Sequence, residues 1–244
     1  MLIDAHCHIL WGVDDASKNE EETLKMLNDA VEDGIDIIIS TSHIHPRYPS
    51  NTAHTFHEAL LRVQNLIEKH QLPIKVVEGA EMYFNEERLA TLDNEYCVPI
   101  NHTKYLLVEL PWTHDESKMH ETRILQHIIK KGFYPIIAHP ERYEVIHNNP
   151  NLIDEWIKMG CLMQVNRTSL LDLDHIQKAN EVAKEMLKNK QIHCIGSDAH
   201  RVNPPRTPKL SDAYEIIANE LGESEAIKLC GGNAEKILAG EKII

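Results

Sequence analysis

The 244-residue chain has no C-x-x-C pair, no apolar run long enough to cross a bilayer and no surplus of basic side chains. Each absence removes a class of protein. Five cysteines (Cys7, Cys97, Cys161, Cys194 and Cys230) are odd in number and scattered, which argues against a disulfide framework or a thiolate zinc site and suits a reducing compartment. The N-terminus has neither the basic stretch nor the apolar core of a secretory signal, so the expected location is cytoplasmic, without direct membrane insertion. A formal net charge of −13 sets the protein as a whole against nucleic acid and anionic membranes. Linkers and low-complexity segments are missing too, and one α/β domain over residues 1–244 accommodates the chain.

What the chain has in excess is histidine, sixteen residues against that acidic background. Two of them lie in Ile3-Asp4-Ala5-His6-Cys7-His8-Ile9-Leu10, where residues 2–4 read as a short strand that ends at the histidine pair. Side chains two positions apart on an extended segment point the same way. Neutral imidazole is the commonest protein ligand of a transition metal, so His6 and His8 supply half the shell of a small ion.

Downstream, apolar runs alternate with helical stripes. Ser17-Lys18-Asn19-Glu20 has capping-box spacing ahead of a helix marked by Leu24, Leu27 and Val31, which stops at Gly34. A buried strand at 35–39 runs into Thr41-Ser42-His43, and Phe56, Leu60, Val63 and Ile67 mark the next helix. A strand at 74–77 ends in Glu78-Gly79-Ala80-Glu81, and the polar stretch 85–101 holds a short helix. The strand at 105–109 has the carboxylate of Glu109 at its carboxyl end, a helix follows to Gly132, and the strand at 135–138 leads to His139-Pro140-Glu141-Arg142. After a helix at 152–159, a strand at 162–165 and a helix at 176–187, the strand at 193–195 runs into Gly196-Ser197-Asp198-Ala199-His200. Beyond Leu210 the chain is helical, with Gly231-Gly232 as a break. Seven strands alternating with helices argue for parallel β/α winding into a closed or nearly closed barrel, whose sites lie just after the strands.

The strand ends deliver His6, His8, His43, Glu81, Glu109, His139, Asp198 and His200, and Asp15 lies in the loop after the first strand. Five imidazoles and four carboxylates without a thiolate suit manganese, iron or zinc in a reactive centre rather than a structural zinc site. So many donors exceed one ion, and two or three divalent metals are implied, with a carboxylate bridging two of them. Three such ions outweigh four carboxylates, so the centre would attract a phosphate dianion that the rest of the protein repels.

In order, Asp4-Ala5-His6-Cys7-His8, Thr41-Ser42-His43, Gly79-Ala80-Glu81, Glu109, His139-Pro140-Glu141-Arg142 and Gly196-Ser197-Asp198-Ala199-His200 resemble the polymerase and histidinol phosphatase (PHP) superfamily of metal-dependent enzymes. Val13-Asp14-Asp15, 104–111 and the His-Pro-Glu-Arg run are closest to its bacterial tyrosine-protein phosphatase branch, which acts on autophosphorylated kinases of capsule and exopolysaccharide synthesis. The resemblance implies a single-domain distorted (β/α)7 barrel of the PHP type. It also implies three metal sites: His6, His8, Glu81 and Asp198 at the first; Glu81, Glu109 and His139 at the second; Asp15, His43 and His200 at the third. Manganese is the favoured ion, Arg142 the catalytic arginine, and Arg47 and Arg206 are substrate-binding. The partner implied is a tyrosine-phosphorylated protein, the cognate bacterial tyrosine kinase. Two departures stand out: Ala16 where the family has glycine, and a shift by one residue of the arginine after the Asp-x-His motif, which weakens the match at Arg206.

Rival readings share parts of this picture. A phosphatase of histidinol phosphate or another small phosphomonoester would use the same metals with a different pocket, and a non-catalytic phosphotyrosine-binding module would keep the ligands without turnover. Cys161 to Arg167 followed by Thr168 matches the C-x5-R-[ST] spacing of cysteine phosphatases, but the intervening residues read as a buried strand with no glycine to wrap a phosphate. Within the metal reading, a water activated by two ions attacks phosphorus in line and Arg142 holds the phosphate as a fork. Tyr48 and Trp112 are the rings available to stack on an aryl substrate.

Overall fold

The computed structural model describes residues 1–113 and 120–244. Among these residues lie nine parallel strands: β1 (Leu2–Cys7), β2 (Ile35–Ser40), β3 (His43–Ile44), β4 (Lys75–Val77), β5 (Glu81–Tyr83), β6 (Tyr105–Glu109), β7 (Tyr134–Ala138), β8 (Leu162–Asn166) and β9 (Cys194–Gly196). The helices are α1 (Glu20–Asp33), α2 (Ala53–His70), α3 (Glu121–Lys130), α4 (Glu144–Asn148), α5 (Asn151–Lys158), α6 (Arg167–Leu170), α7 (Gln177–Lys188), α8 (Ser211–Leu221), α9 (Glu223–Ile227) and α10 (Asn233–Ala239). One sheet runs β1-β2-β4 and the other β3-β5-β6-β7-β8-β9. Because β3 continues β2 and β5 continues β4, the nine strands fill seven positions of a distorted barrel. It closes where the His8 N–H donates to the Ala199 carbonyl at 2.9 Å and the Asp198 N–H to that of His6 at 2.7 Å.

The two breaks change the expected placement of two candidate ligands. His43 and Glu81 do not trail off strands as loop residues; they open β3 and β5 and face each other across the ladder. At the break the Glu81 N–H lies within bonding distance of both the Thr41 carbonyl (3.1 Å) and the Ser42 carbonyl (3.2 Å). Pairing therefore resumes on a displaced course rather than ending.

A bulge shapes β1 as well. Asp4 pairs with Ile38 and Cys7 with Ser40, so β1 carries one residue more than β2 between those points. An extra residue reverses the in-out alternation beyond it. Ile3 and Ala5 belong to the cluster inside the barrel, whereas Cys7 belongs to the core shared with the helices, which leaves the inner face to His6 and His8. The strand thus runs past His6 to Cys7 and ends inside the histidine pair rather than before it. The Asp4 carboxylate holds the bulge, accepting from the N–H of His6 (3.2 Å), the N–H of Ser197 (2.9 Å) and the Ser197 hydroxyl (2.6 Å).

Inside the barrel Ile3, Ile39, Val77, Leu107 and Ile136 pack together, and Ala234 and Ile237 of α10 close the end away from the histidines. The helices cover the outside with apolar faces such as Met26, Leu27 and Ala30 of α1, where burial stabilises by roughly 1.5–3 kcal/mol for each large aliphatic side chain. The cap of α1 is Asn19, accepting from the Glu22 N–H, and not Ser17. Ser17 is buried and its hydroxyl bonds Thr23, so the capping-box spacing is shifted by two residues. Nor is Gly231-Gly232 a break: residues Lys228–Gly232 form a π-helical turn that runs on into α10. A Cβ on Gly231 would lie 2.3 Å from the Met1 carbonyl oxygen, so glycine here serves the close approach of the first strand.

Gly196 on β9 is the tightest approach to the site. A Cβ there would stand 2.4 Å from the His6 Cβ and 2.9 Å from the Gln164 Nε2. Gly196→Ala should therefore displace His6, costing about 1–3 kcal/mol of stability from overpacking. A lowered urea midpoint together with reduced metal content would bear this out; unchanged values for both would show that β9 can yield.

Candidate metal centre

His6 and His8 are fully buried and each is held at one ring nitrogen. His6 Nδ1 lies 2.7 Å from the Gln164 amide oxygen, and His8 Nδ1 lies 2.8 Å from the Asp14 carboxylate. Both partners accept, so both Nδ1 atoms carry protons and both Nε2 atoms present lone pairs. Those lone pairs face one another at 3.1 Å, and the same Glu81 oxygen stands 3.3 Å from His6 Nε2 and 3.2 Å from His8 Nε2. Three acceptors converge with no donor between them. Only added protons or a cation can satisfy such a corner.

The other candidates surround it. His139 Nε2 lies 2.7 Å from the second Glu81 oxygen, while His43 Nδ1 is 3.1 Å from the first and 3.9 Å from Glu109. Asp15, half-exposed, reaches to 3.8 Å from His43 Nε2 and 3.9 Å from His200 Nε2. Asp198 is 3.7 Å from both His6 and His8 Nε2. His8, His43 and His200, then His6, His8 and Glu81, then His43, Glu81 and Glu109 each gather ligand atoms closely enough for one ion. Buried His43 Nδ1 and Glu109 Oε2 have no hydrogen-bond partner among the described residues. The nine residues named from the sequence therefore meet in one place, and their donor set fits divalent ions.

Electrostatics sharpen the division of roles. Burial opposes the charged form of Glu81, but His6, His43 and His139 around it more than offset that and hold the carboxyl well below its usual range. Glu109 is pushed the other way, to about 7, by burial and by the Glu81 charge beside it. Burial also opposes a charged Asp198, and Arg206, His6, His200 and Arg142 overcome it. His139 and Asp198 both have left-handed backbones, at φ of 34° and 50°. Such strain in non-glycine residues costs on the order of 1–3 kcal/mol each and persists where surrounding contacts enforce it.

Above the centre opens a cavity of about 650 Å³, lined by seven of the nine candidates and by Arg47, Arg142 and Arg206; His6 and His8 lie beneath. Arg142 is not the free fork its sequence position suggests. Its Nε–H donates to Asp174 at 2.7 Å, Nη2 lies 2.6 Å from the same carboxylate, and Nη1 donates to Asp198 at 2.9 Å. Of its five N–H bonds, one on each terminal nitrogen is left over. Arg206 Nη2 is 2.9 Å from Asp198 Oδ1 and 2.7 Å from His200 Nδ1. Arg47 is exposed, with its guanidinium 5.8 Å from the Tyr48 ring. Trp112 donates to Glu109 at 2.8 Å and lies 5.6 Å from the Arg142 guanidinium, so it supports a candidate ligand as well as lining the cavity.

Several functional side chains escaped the sequence reading. Gln164 orients His6, and its amide N–H donates to Asn166, which donates in turn to Asp198 at 2.8 Å. Asp14 orients His8 and also accepts from the His43 N–H at 3.0 Å. The Asp-Asp pair was a signal for Asp14; Gln164, Asn166 and Asp174 lie on or after β8 with no local pattern to mark them. Cys161 is buried, and burial pushes its thiol to about 12, far from a reactive thiolate. Arg167 is paired with Asp212 at 2.6 Å, so the cysteine-phosphatase spacing falls on a core strand and a committed arginine.

Comparison with known proteins finds relatives over nearly the whole chain. The family model for capsular polysaccharide synthesis, CpsB/CapC, matches residues 2–239. The chain is 30% identical over 242 residues to the tyrosine-protein phosphatase YwqE of Bacillus subtilis, covering 99% of this chain and 93% of that one. It is 29% identical over 246 residues to the tyrosine-protein phosphatase CpsB of Streptococcus agalactiae, covering 99% and 100%. A solved structure from work on YwqE of B. subtilis and CpsB of Streptococcus pneumoniae, described as unique metal-dependent tyrosine phosphatases, superposes with a TM-score of 0.90 at 30% identity. It covers 100% of this chain and 96% of that one.

Glu81 touches more of the candidate ligands than any other residue described above, which makes it the sharpest probe. Glu81→Ala should lose bound metal and about 10³-fold or more of the activity, the scale of removing a charge-stabilising element, with an unchanged circular dichroism spectrum. Cys161→Ala, by contrast, should keep activity and metal. An inactive but folded and metal-loaded Cys161→Ala protein would bring back thiol chemistry.

Proposed function

The chain belongs to the CpsB/CapC family, and from that premise we propose that it is a metal-dependent protein-tyrosine phosphatase. Its substrate is phosphotyrosine on a bacterial tyrosine kinase or a related protein of capsule and exopolysaccharide synthesis. The observation that carries this is the buried meeting of acceptors at His6, His8 and Glu81, beneath an open cavity rimmed by arginines.

In this reading the centre would take three divalent ions. His6, His8, Glu81 and Asp198 would hold the first, Glu81, Glu109 and His139 the second, and Asp15, His43 and His200 the third. Manganese is the ion of choice, with iron and zinc accepted by the same donors. When bound, the ions supply Lewis acidity that makes water nucleophilic near neutral pH and neutralises charge on the phosphate.

The chain's own residues do the rest. Asp14 and Gln164 fix the tautomers of His8 and His6, so that the basic Nε2 atoms point to the centre. Arg142, clamped by Asp174 and Asp198, keeps one N–H on each terminal nitrogen for phosphate oxygens, and it is pre-oriented where a freely moving arginine would lose rotamer entropy on binding. Arg206 and Arg47 add positive charge at the rim. The phenolate of tyrosine, with a pKa of about 10, leaves more easily than an alkoxide, so the centre favours aryl over alkyl phosphates.

Side-by-side kinetics test the assignment. With manganese added, kcat/KM for a tyrosine-phosphorylated peptide should exceed that for histidinol phosphate by about tenfold or more, and chelator should abolish both. If histidinol phosphate is the better substrate, the tyrosine-phosphatase reading fails and only the metal-dependent phosphoesterase remains.

A further inference from the structure

His45 lies one residue beyond β3, on the side of the strand that His43 also faces, with ring centroids 6.1 Å apart. None of the proposed ion shells uses it. Its Nδ1 accepts from the Arg47 backbone N–H at 3.0 Å, with the Arg47 Nε–H at 3.4 Å behind it. An imidazole whose Nδ1 lone pair is taken carries its proton on Nε2. Among the described residues the Nε2–H has no partner. The ring leans on Tyr83, 4.6 Å away and tilted by 54°, which limits its rotation, and both residues line the cavity. A fixed, unspent donor thus stands at the rim, half-buried, while His6 and His8 lie fully buried at the floor.

We propose that His45 is a catalytic residue, donating the hydrogen bond of its Nε2–H to the phenolic oxygen that leaves phosphorus. This rests on the tyrosine-phosphatase reading above. In-line displacement puts the leaving oxygen opposite the attacking one. Water is activated at the floor, and the substrate chain must remain at the mouth, so the leaving oxygen points to the rim. The water oxygen forms its bond to phosphorus and gives up a proton to solvent. The bond between phosphorus and the phenolic oxygen breaks with its electron pair staying on that oxygen. The phenolate accepts the hydrogen bond from His45 and then a proton from solvent. The imidazole stays neutral throughout and loses no proton.

Aryl phosphates of differing leaving-group acidity provide the test, with metal content measured alongside. His45→Ala should lower kcat/KM on phenyl phosphate by about ten- to a hundredfold, the worth of one hydrogen bond to a developing charge. On p-nitrophenyl phosphate, whose phenolate needs little help, the loss should stay within about threefold. His45→Gln, which places an amide N–H near the Nε2 position, should recover most of the difference, and both variants should bind metal as the wild type does. Equal losses on the two substrates, failure of glutamine to restore the phenyl phosphate rate, or loss of metal would overturn the inference while leaving the phosphatase intact. A wild-type enzyme that hydrolyses neither aryl phosphate would instead remove the phosphatase reading, and this inference with it.

Discussion

Two imidazole lone pairs and a carboxylate oxygen meet at about van der Waals distance in the interior, and most of the structure answers to that meeting. Left without a cation, such a corner would fall apart or fill with protons, because buried acceptors repel and a buried carboxylate lacks solvation. The protein supports it from behind. Asp14 and Gln164 commit the Nδ1 protons, the β1 bulge turns both rings inward, and Gly196 lets β9 pass within contact of His6. The barrel is the frame for this centre. Its seven strand positions bring side chains from distant parts of the sequence to one mouth.

The same logic accounts for the strained residues. His139 and Asp198 have left-handed backbones at the ends of β7 and β9, where an unstrained chain would send their side chains elsewhere. Both are tied down. Asp198 accepts from Asn166, Arg142 and Arg206, and His139 meets Glu81. Arg142 accordingly has two duties: it positions Asp198 and it offers its remaining N–H groups to the cavity. A double role of this kind makes an Arg142 substitution ambiguous, because it would release Asp198 and strip the cavity of donors at once.

Much of this was legible in the sequence because barrel strands end in short polar runs, and those runs carried His6, His8, Glu109, His139 and Asp198 in plain view. What hid was geometry set by pairing partners far away in the chain. The breaks after β2 and β4 depend on how Glu81 bonds back to Thr41 and Ser42, and no local pattern announces them. The β1 bulge depends on Asp4 meeting Ser197. Gln164 and Asp174 looked like an ordinary buried strand residue and an ordinary loop acid until the fold set them against His6 and Arg142. Gly231 read as a helix breaker because its true constraint, the Met1 carbonyl, lies at the other end of the chain.

Anomalous diffraction from crystals grown with manganese tests the central claim most directly. Anomalous peaks are expected at Glu81, one between it and the Nε2 atoms of His6 and His8 and another on the His139 side, with His6 and His8 still bonded through Nδ1 to Gln164 and Asp14. A map with no anomalous peak at that meeting point, and with the His6 or His8 ring turned so that Nε2 bonds a protein donor, would contradict it.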